Sequence, residues 1–346
     1  MWAFRRIHQK LTFVGMMRKL LVIRFSSIGD IVLTTPVVCC LAQQYPESEI
    51  HYLTKPTFAS MLHSNPYVTK VHVLKDDLNS VVQELKSEAF DYVIDLHHNI
   101  RSMRVRSALG VDGKAFPKLN IQKWLLVNFK WNRMPDIHIV HRYFQAASAL
   151  GLKYDGMGLD YFIPEKDMVS IDQLPEAHRS GYLAIAIGAQ HYTKRMPVER
   201  LKQLVEKLSL PVVLLGGKED FENGELIRDG NSDYVFNACG LYNLNQSASL
   251  LQQSRLLITH DTGLMHIGAA LRKPIISIWG STVPAFGMTP FLPDGMAAST
   301  IIENTELHCR PCSKLGFHRC PKQHFKCMNE IDLMDVRKQV EAILDK

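Results

Sequence analysis

An aspartate in a small-residue turn, Arg24-Phe-Ser-Ser-Ile-Gly-Asp30, is a group that can take a proton from a hydroxyl at neutral pH. A carboxylate at a helix start is equally an ordinary cap, a contribution of ~1 kcal/mol, and the spacing alone leaves both roles open. A second stretch, Gly188-Ala-Gln-His-Tyr-Thr-Lys-Arg-Met-Pro197, gathers Thr193, Lys194 and Arg195 at a helix entrance. These donors suit phosphate oxygens, and the alternative is a solvated basic loop. In a third, Ile258-Thr-His-Asp-Thr-Gly-Leu-Met-His266, Gly263 begins a helix whose first amides can cradle a diphosphate. Asp261 and Thr262 are either part of that cradle or a capping pair, and His266 is either a contact or a half-buried core histidine. Trp279-Gly-Ser-Thr-Val-Pro284 is a similar turn. The first stretch has only Gly29, not the three-glycine fingerprint of dinucleotide folds, which argues against a nicotinamide or flavin enzyme.

Cysteines form a separate group. Cys309, Cys312, Cys320 and Cys327 are separated by two, seven and six residues, a spacing compatible with a structural zinc site, with free thiols or with disulfides. His308, His318 and His324 lie close enough in sequence to replace one thiolate.

All four turns follow apolar runs that the pattern assigns to strands of a parallel α/β fold, in which ligands bind beyond the carboxyl ends of strands. Strands are predicted at 20–25, 50–54, 71–74 and 92–96, with a helix over 77–90. The pattern lapses through a basic stretch and resumes after a connection at 164–180. Strands at 182–187, 211–215, 234–237, 256–259 and 274–279 then alternate with helices at 197–208, 219–228, 244–254 and 263–272. The expected organisation is a basic extension (1–17), an N-terminal domain (18–165), a C-terminal domain (166–328) and a final segment (329–346) whose helix packs back on the body.

A chain of 346 residues, 46% apolar and 21% charged, is neither disordered nor low-complexity. No uncharged apolar run approaches the ~18–20 residues of a membrane span, and residues 1–17 make a poor signal peptide. Seven cysteines, an odd number, fit a reducing compartment, so a cytoplasmic location is expected. Net charge is +6, but between Arg101 and Arg142 nine basic residues face only Asp112 and Asp136. A nucleic-acid binder would be basic more widely, so nucleic acid is not an expected partner. Phe116, Trp124, Leu125, Leu126, Phe129 and Trp131, interleaved with Lys118, Lys123 and Lys130, fit either a segment on an anionic membrane surface or a core helix with a basic outer face. His97 and His98 read as structural.

The motifs "IRFSSIGDIVLTTP", "TKRMP", "LLGGKED" and "ITHDTGLMHIGAALRKPIISIWGST" occur in the order, and with the content, of glycosyltransferase family 9. The chain from Lys19 onward resembles that family, the ADP-heptose:lipopolysaccharide heptosyltransferases and their relatives. Met196 stands where the family commonly has tryptophan, a change of packing more than of charge. The resemblance implies the GT-B architecture, two Rossmann-like doubly wound domains facing across a cleft, with the acceptor on the N-terminal domain and the nucleotide sugar on the C-terminal one. It assigns Asp30 as catalytic base. It implies Thr193, Lys194, Asp261, Thr262, Gly263, Leu264 and His266 as donor contacts, with Glu219 or Glu222 at the donor ribose. It gives Ser27, Arg101 and Arg104, with Arg106 nearby, to an anionic lipid-linked acceptor at the cytoplasmic face of the inner membrane. Transfer would invert the sugar and require no cofactor, leaving a structural zinc as the one metal to look for. The alternatives are the same fold using another nucleotide sugar, and a non-catalytic nucleotide-sugar binder.

Overall fold

Lys19-Leu-Leu-Val-Ile23 is apolar without alternation because its strand is buried on both faces, as parallel strands covered by helices must be. The computed structural model describes residues 18–296 and 299–345, so the extension expected at 1–17 lies outside the described residues. In chain order the first elements are β1 (Lys19–Ile23), α1 (Ile28–Val32), α2 (Thr35–Gln44), β2 (Glu49–Thr54), β3 (Lys70–Val73), α3 (Leu78–Ser87) and β4 (Tyr92–Asp95). Then come α4 (Ile100–Leu109), β5 (Gly113–Ala115), α5 (Asn120–Phe129), α6 (Ile139–Phe144), α7 (Glu176–Arg179), β6 (Leu183–Ala186), α8 (Val198–Leu208) and β7 (Val212–Leu215). The chain closes with α9 (Phe221–Arg228), β8 (Val235–Asn237), α10 (Leu244–Gln253), β9 (Leu256–His260), α11 (Gly263–Ala270), β10 (Ile275–Trp279), β11 (Thr300–Glu303), α12 (Lys326–Asn329) and α13 (Leu333–Leu344).

By their contacts these elements form two units. The first comprises residues up to Ser26, Thr34–Lys118 and Val140–Asp155; the second comprises Ser27–Leu33, Leu119–Ile139 and Gly156–Lys346. A single cut at 165/166 therefore does not describe the contacts: two short excursions, one of them carrying Asp30, belong with the second unit. The sheet of the first unit runs β3-β2-β1-β4-β5, all parallel. In the second the order is β11-β10-β9-β6-β7-β8, also all parallel. Each order reverses beside its first strand, as in a doubly wound nucleotide-binding fold, and that reversal fixes where a ligand crevice opens. The reversals fall between β1 and β4 in one unit and between β6 and β9 in the other.

One core holds Leu21, Ile23, Leu53, Val81, Leu85 and Val93, and the other Leu183, Leu204, Val212, Ile258, Ile278 and Val336. The helix expected at the C-terminus is α13, which places Val336 and Val340 against α8, β9 and β10 and is part of the second unit rather than a separate region. The stretch expected as a connection is likewise docked: Asp167 accepts from Asn243 at 3.1 Å and Asn245 at 2.8 Å at the start of α10. The lapse through the basic stretch holds α4, β5 and α5. α4 buries only Ser102 and Val105, which is too narrow a stripe to show as a period.

Candidate active site

At the reversal of the second sheet, the loops leaving β6 and β9 lie side by side. The first carries Lys194, whose Nζ lies 2.6 Å from Asp261 Oδ2 on the second. Thr282, after β10, donates to the same Asp261 oxygen at 2.9 Å. Thr262 is the N-cap of α11 but its side chain does not cap it, so the first-turn amides at Gly263, Leu264 and Met265 are not closed off by a side-chain oxygen. A cation and a helix start with the positive end of its dipole thus meet in one crevice, an arrangement suited to a diphosphate.

Asp30 reaches the same helix from the other side of the sequence. Its Oδ2 accepts from Ser27 N at 3.1 Å and Ser27 Oγ at 2.9 Å, so the capping role is real. What sets its helix against α11 is Gly29. A Cβ on Gly29 would lie 2.5 Å from His266 Cδ2, and one on Gly263 would lie 2.7 Å from Ile28 Cγ2, so α1 and α11 touch through their glycines. The close approach that Gly29 permits is to α11. Gly29→Ala should force α1 off α11 and cut turnover at least tenfold while leaving nucleotide affinity within about twofold; steady-state kinetics with calorimetry on the same variant would show it.

His266, expected as a donor contact, is 2% exposed and packs its ring against Gly29 of α1. Burial pushes its pKa down to about 4 against the upward pull of Asp261 and Asp30, and it is a neutral imidazole at pH 7. His260 is also pushed to about 4 by burial, and its Nε2 accepts from Met196 N at 3.1 Å. Both folded values lie below the ordinary 6.5, so the stability these residues contribute is complete above pH 6.5 and is lost as pH falls through about 4. The melting temperature should fall across that window, and His260→Gln should flatten the fall.

Thr193, expected as a donor contact, turns its side chain into the protein. It is 1% exposed, and its hydroxyl accepts from Phe317 N at 2.8 Å and Ser281 Oγ at 2.9 Å. Arg195 anchors its own loop, donating to Ala189 O at 2.6 Å and to buried Asp220 at 3.0 Å. Glu219 and Glu222 are exposed beside this loop's neighbour after β7. Met196 is buried in the second core.

Sequence reasoning missed Arg310. Its guanidinium donates to the carbonyls of Gly280 (2.6 Å), Trp279 (3.1 Å) and Thr282 (3.0 Å) and pairs with Glu303 at 2.7 Å. Cys312 N adds a bond to Ser281 O at 3.0 Å. The cysteine segment is therefore the buttress of the turn that carries Thr282; an arginine flanked by two cysteines was the only signal. All seven cysteines are free thiols. Burial pushes Cys312 up to about 11 and Cys327 up to about 12, Cys309 Sγ faces His324 Nε2 at 3.8 Å, and the four thiols do not converge to ligand spacing among the described residues. The four thiols are near enough to act on one another, but no three of them bring their sulfurs within 4.8 Å of one another, and a structural zinc there is not shown.

In the first unit, a concavity of about 430 Å³ opens at the reversal between β1 and β4, lined by Phe25, Lys55, His97, Asn99, Ile100 and Arg101. Asp95, at the end of β4, accepts from His97 N at 3.0 Å, His98 N at 2.7 Å and Ser102 Oγ at 2.8 Å, which sets the start of α4 and hence Arg101. Arg104, one turn further along α4, lines a different depression with Leu78 and Asn79. Lys55 was missed because it comes from another strand end. Phe116 is buried against Tyr143, while Trp124, Phe129 and Trp131 stay at least half exposed (55%, 50% and 62%) on and after α5, which buries only Leu126.

Residues 78–316 match the model of glycosyltransferase family 9 (heptosyltransferase). The chain belongs to that family. This family 9 glycosyltransferase is 24% identical over 330 residues to lipooligosaccharide heptosyltransferase 2 of Haemophilus ducreyi, covering 87% of this chain and 94% of that one. Its fold is shared with a solved glycosyl transferase family 9 protein from Veillonella parvula (TM-score 0.74, 22% identity, 95% and 98% of the two chains). It is shared also with E. coli heptosyltransferase WaaC solved with ADP-2-deoxy-2-fluoro heptose (TM-score 0.67, 20% identity, 94% and 99%). The GT-B family fold and glycosyltransferase class expected from the motifs hold.

Proposed function

We propose that this glycosyltransferase moves a heptose, or a closely related sugar, from a nucleoside-diphosphate donor held by the second unit to a lipopolysaccharide-core acceptor held by the first. The observation that carries the reading is the crevice at the β6/β9 reversal, where Lys194 meets the first turn of α11 and α1 brings Asp30 against the same helix. The Asp30 carboxylate accepts the proton of the acceptor hydroxyl as its oxygen attacks the anomeric carbon from the face opposite the diphosphate. The carbon–oxygen bond to the diphosphate breaks in the same displacement, so configuration inverts. Charge building on the departing diphosphate is met by Lys194 and the amides at Gly263 and Leu264, a stabilisation that does not call for a divalent cation at this step.

ADP-heptose is the proposed donor, in line with the ligand of the E. coli relative and the name of the Haemophilus one. Lys55 and Arg101 are the proposed anion contacts of the acceptor, a core oligosaccharide carrying carboxylates or phosphates. No helix among the described residues is long and apolar enough to cross a membrane. The exposed Trp124, Phe129 and Trp131, whose rings meet in series, edge-on at 5.2 Å and tilted at 5.4 Å, beside Lys123 and Arg133, support peripheral contact with an anionic leaflet on the cytoplasmic side.

The test is a panel of nucleotide sugars read by thermal shift and then by turnover with a core-lipid acceptor. ADP-heptose should raise the melting temperature by several degrees at saturating concentration and be turned over. A shift with a different nucleotide sugar and none with ADP-heptose rejects the donor.

A further inference from the structure

At the amino-terminal edge of the first unit's sheet, opposite the edge that carries the cavity, two buried histidines face each other. His51 on β2 and His72 on β3 are both 2% exposed. The register pairs His51 with Lys70 and Leu53 with His72, so the two histidines are diagonal neighbours on one face of the sheet. Their inner nitrogens, His51 Nδ1 and His72 Nε2, are 3.0 Å apart. Each outer nitrogen faces a carboxylate: His72 Nδ1 lies 3.0 Å from Glu84 Oε1, and His51 Nε2 lies 3.5 Å from Glu49 Oε2. An outer N–H given to each carboxylate turns both inner lone pairs toward the same point, where they repel unless a cation lies between them.

Glu88 closes that point from α3's C-terminal end, its Oε2 being 3.9 Å from His51 Nδ1 and its Oε1 4.0 Å from His72 Nε2. We propose that His51, His72 and Glu88 bind one divalent transition-metal ion of the Zn2+ type, with Glu84 and Glu49 orienting the two imidazoles. Among the described residues this is the one group of three such side chains whose ligand atoms all lie within 4.8 Å of one another. Carboxylate behind histidine is the usual arrangement for a ligating imidazole, because it fixes the tautomer and strengthens the ligand. A tetrahedral ion bound at about 2.0–2.1 Å needs about 3.3 Å between ligand atoms, so the nitrogens must part by a few tenths of an ångström and Glu88, with its oxygens 3.9 and 4.0 Å away, must move inward by at least about 0.6 Å. Two imidazoles and one carboxylate favour Zn2+, Co2+ or Ni2+ over Mg2+ or Ca2+, which take oxygen. Phe90 sets its ring edge-on to both imidazoles, at 5.1 and 6.2 Å, and supplies an apolar wall. Lys70 and Lys19, now paired with Glu88 Oε1 and Oε2, have side chains 51% and 35% exposed and can both turn to solvent when the ion enters.

The ion would clamp β2, β3 and α3 together, and nothing in this inference depends on sugar transfer. The full chain, stripped with chelator, is titrated with Co2+ and followed by visible absorption and by metal content. One equivalent should bind and show a ligand-field band without the intense thiolate charge-transfer absorption that the cysteines would give. Zn2+ should compete with it and raise the melting temperature of the stripped protein by several degrees. Glu88→Gln, at a partly exposed side chain, and His72→Gln should each lose that equivalent and the Zn2+-dependent shift, while Glu84→Gln should keep the stoichiometry and bind about 10–100-fold more weakly. If a variant does not fold, the wild-type spectrum and stoichiometry still decide. No Co2+ bound outside thiolate ligation, or wild-type binding retained in Glu88→Gln and His72→Gln, overturns the proposal and leaves a histidine pair that shares only a proton.

Discussion

Asp30→Asn lowers turnover by about 10²–10⁴ and leaves donor affinity unchanged. The amide keeps an oxygen that can accept from Ser27 N and Ser27 Oγ, so the start of α1 is preserved and only the proton acceptor is lost. Asp30→Ala removes both, and should add about 1 kcal/mol of instability to the same kinetic defect. Comparing the two separates base from cap: turnover falls alike in both, whereas the melting temperature falls further in the alanine variant. Wild-type turnover in the asparagine variant would leave Asp30 a cap alone.

Lys194→Ala reduces kcat by about 10²–10³ and weakens donor binding, because the amine that would meet the leaving diphosphate is gone. A structural explanation competes, since Lys194 also neutralises Asp261 at 2.6 Å and its removal leaves that carboxylate with Thr282 as its hydroxyl donor. The double variant Lys194→Ala/Asp261→Asn distinguishes them. It should regain much of the lost melting temperature but none of the lost kcat. Recovery of kcat in the double variant would show that the lysine serves only to balance the aspartate.

The strands that were legible are those with both faces buried, such as β1, β6, β7 and β9, where three or more consecutive apolar residues show no alternation. β5 and β11 escaped notice because they are edge strands of three and four residues whose sequences, Gly-Lys-Ala and Thr-Ile-Ile-Glu, carry little apolar pattern. Lys194, Asp261 and Gly263 were legible as strand-end residues, and the strand order explains why their loops meet. The partners that come from afar were not. Nothing local says that Arg310 reaches back to the carbonyls of Trp279, Gly280 and Thr282, or that Lys55 joins Arg101. His51 and His72 lie on separate strands and meet only through register, and the alternation of a buried strand disguises each as an interior residue.

The excursion of α1 also bears on how relatives with different acceptors can be recombined. A chimera that joins a foreign front half to this chain's rear half at the obvious seam near residue 156 would import someone else's helix against α11. Residues 27–33 ought to travel with the second unit, because the Ile28, Gly29 and Gly263 surfaces are matched to each other rather than to the sheet from which α1 departs. Grafts that respect this pairing keep Asp30 in register with α11.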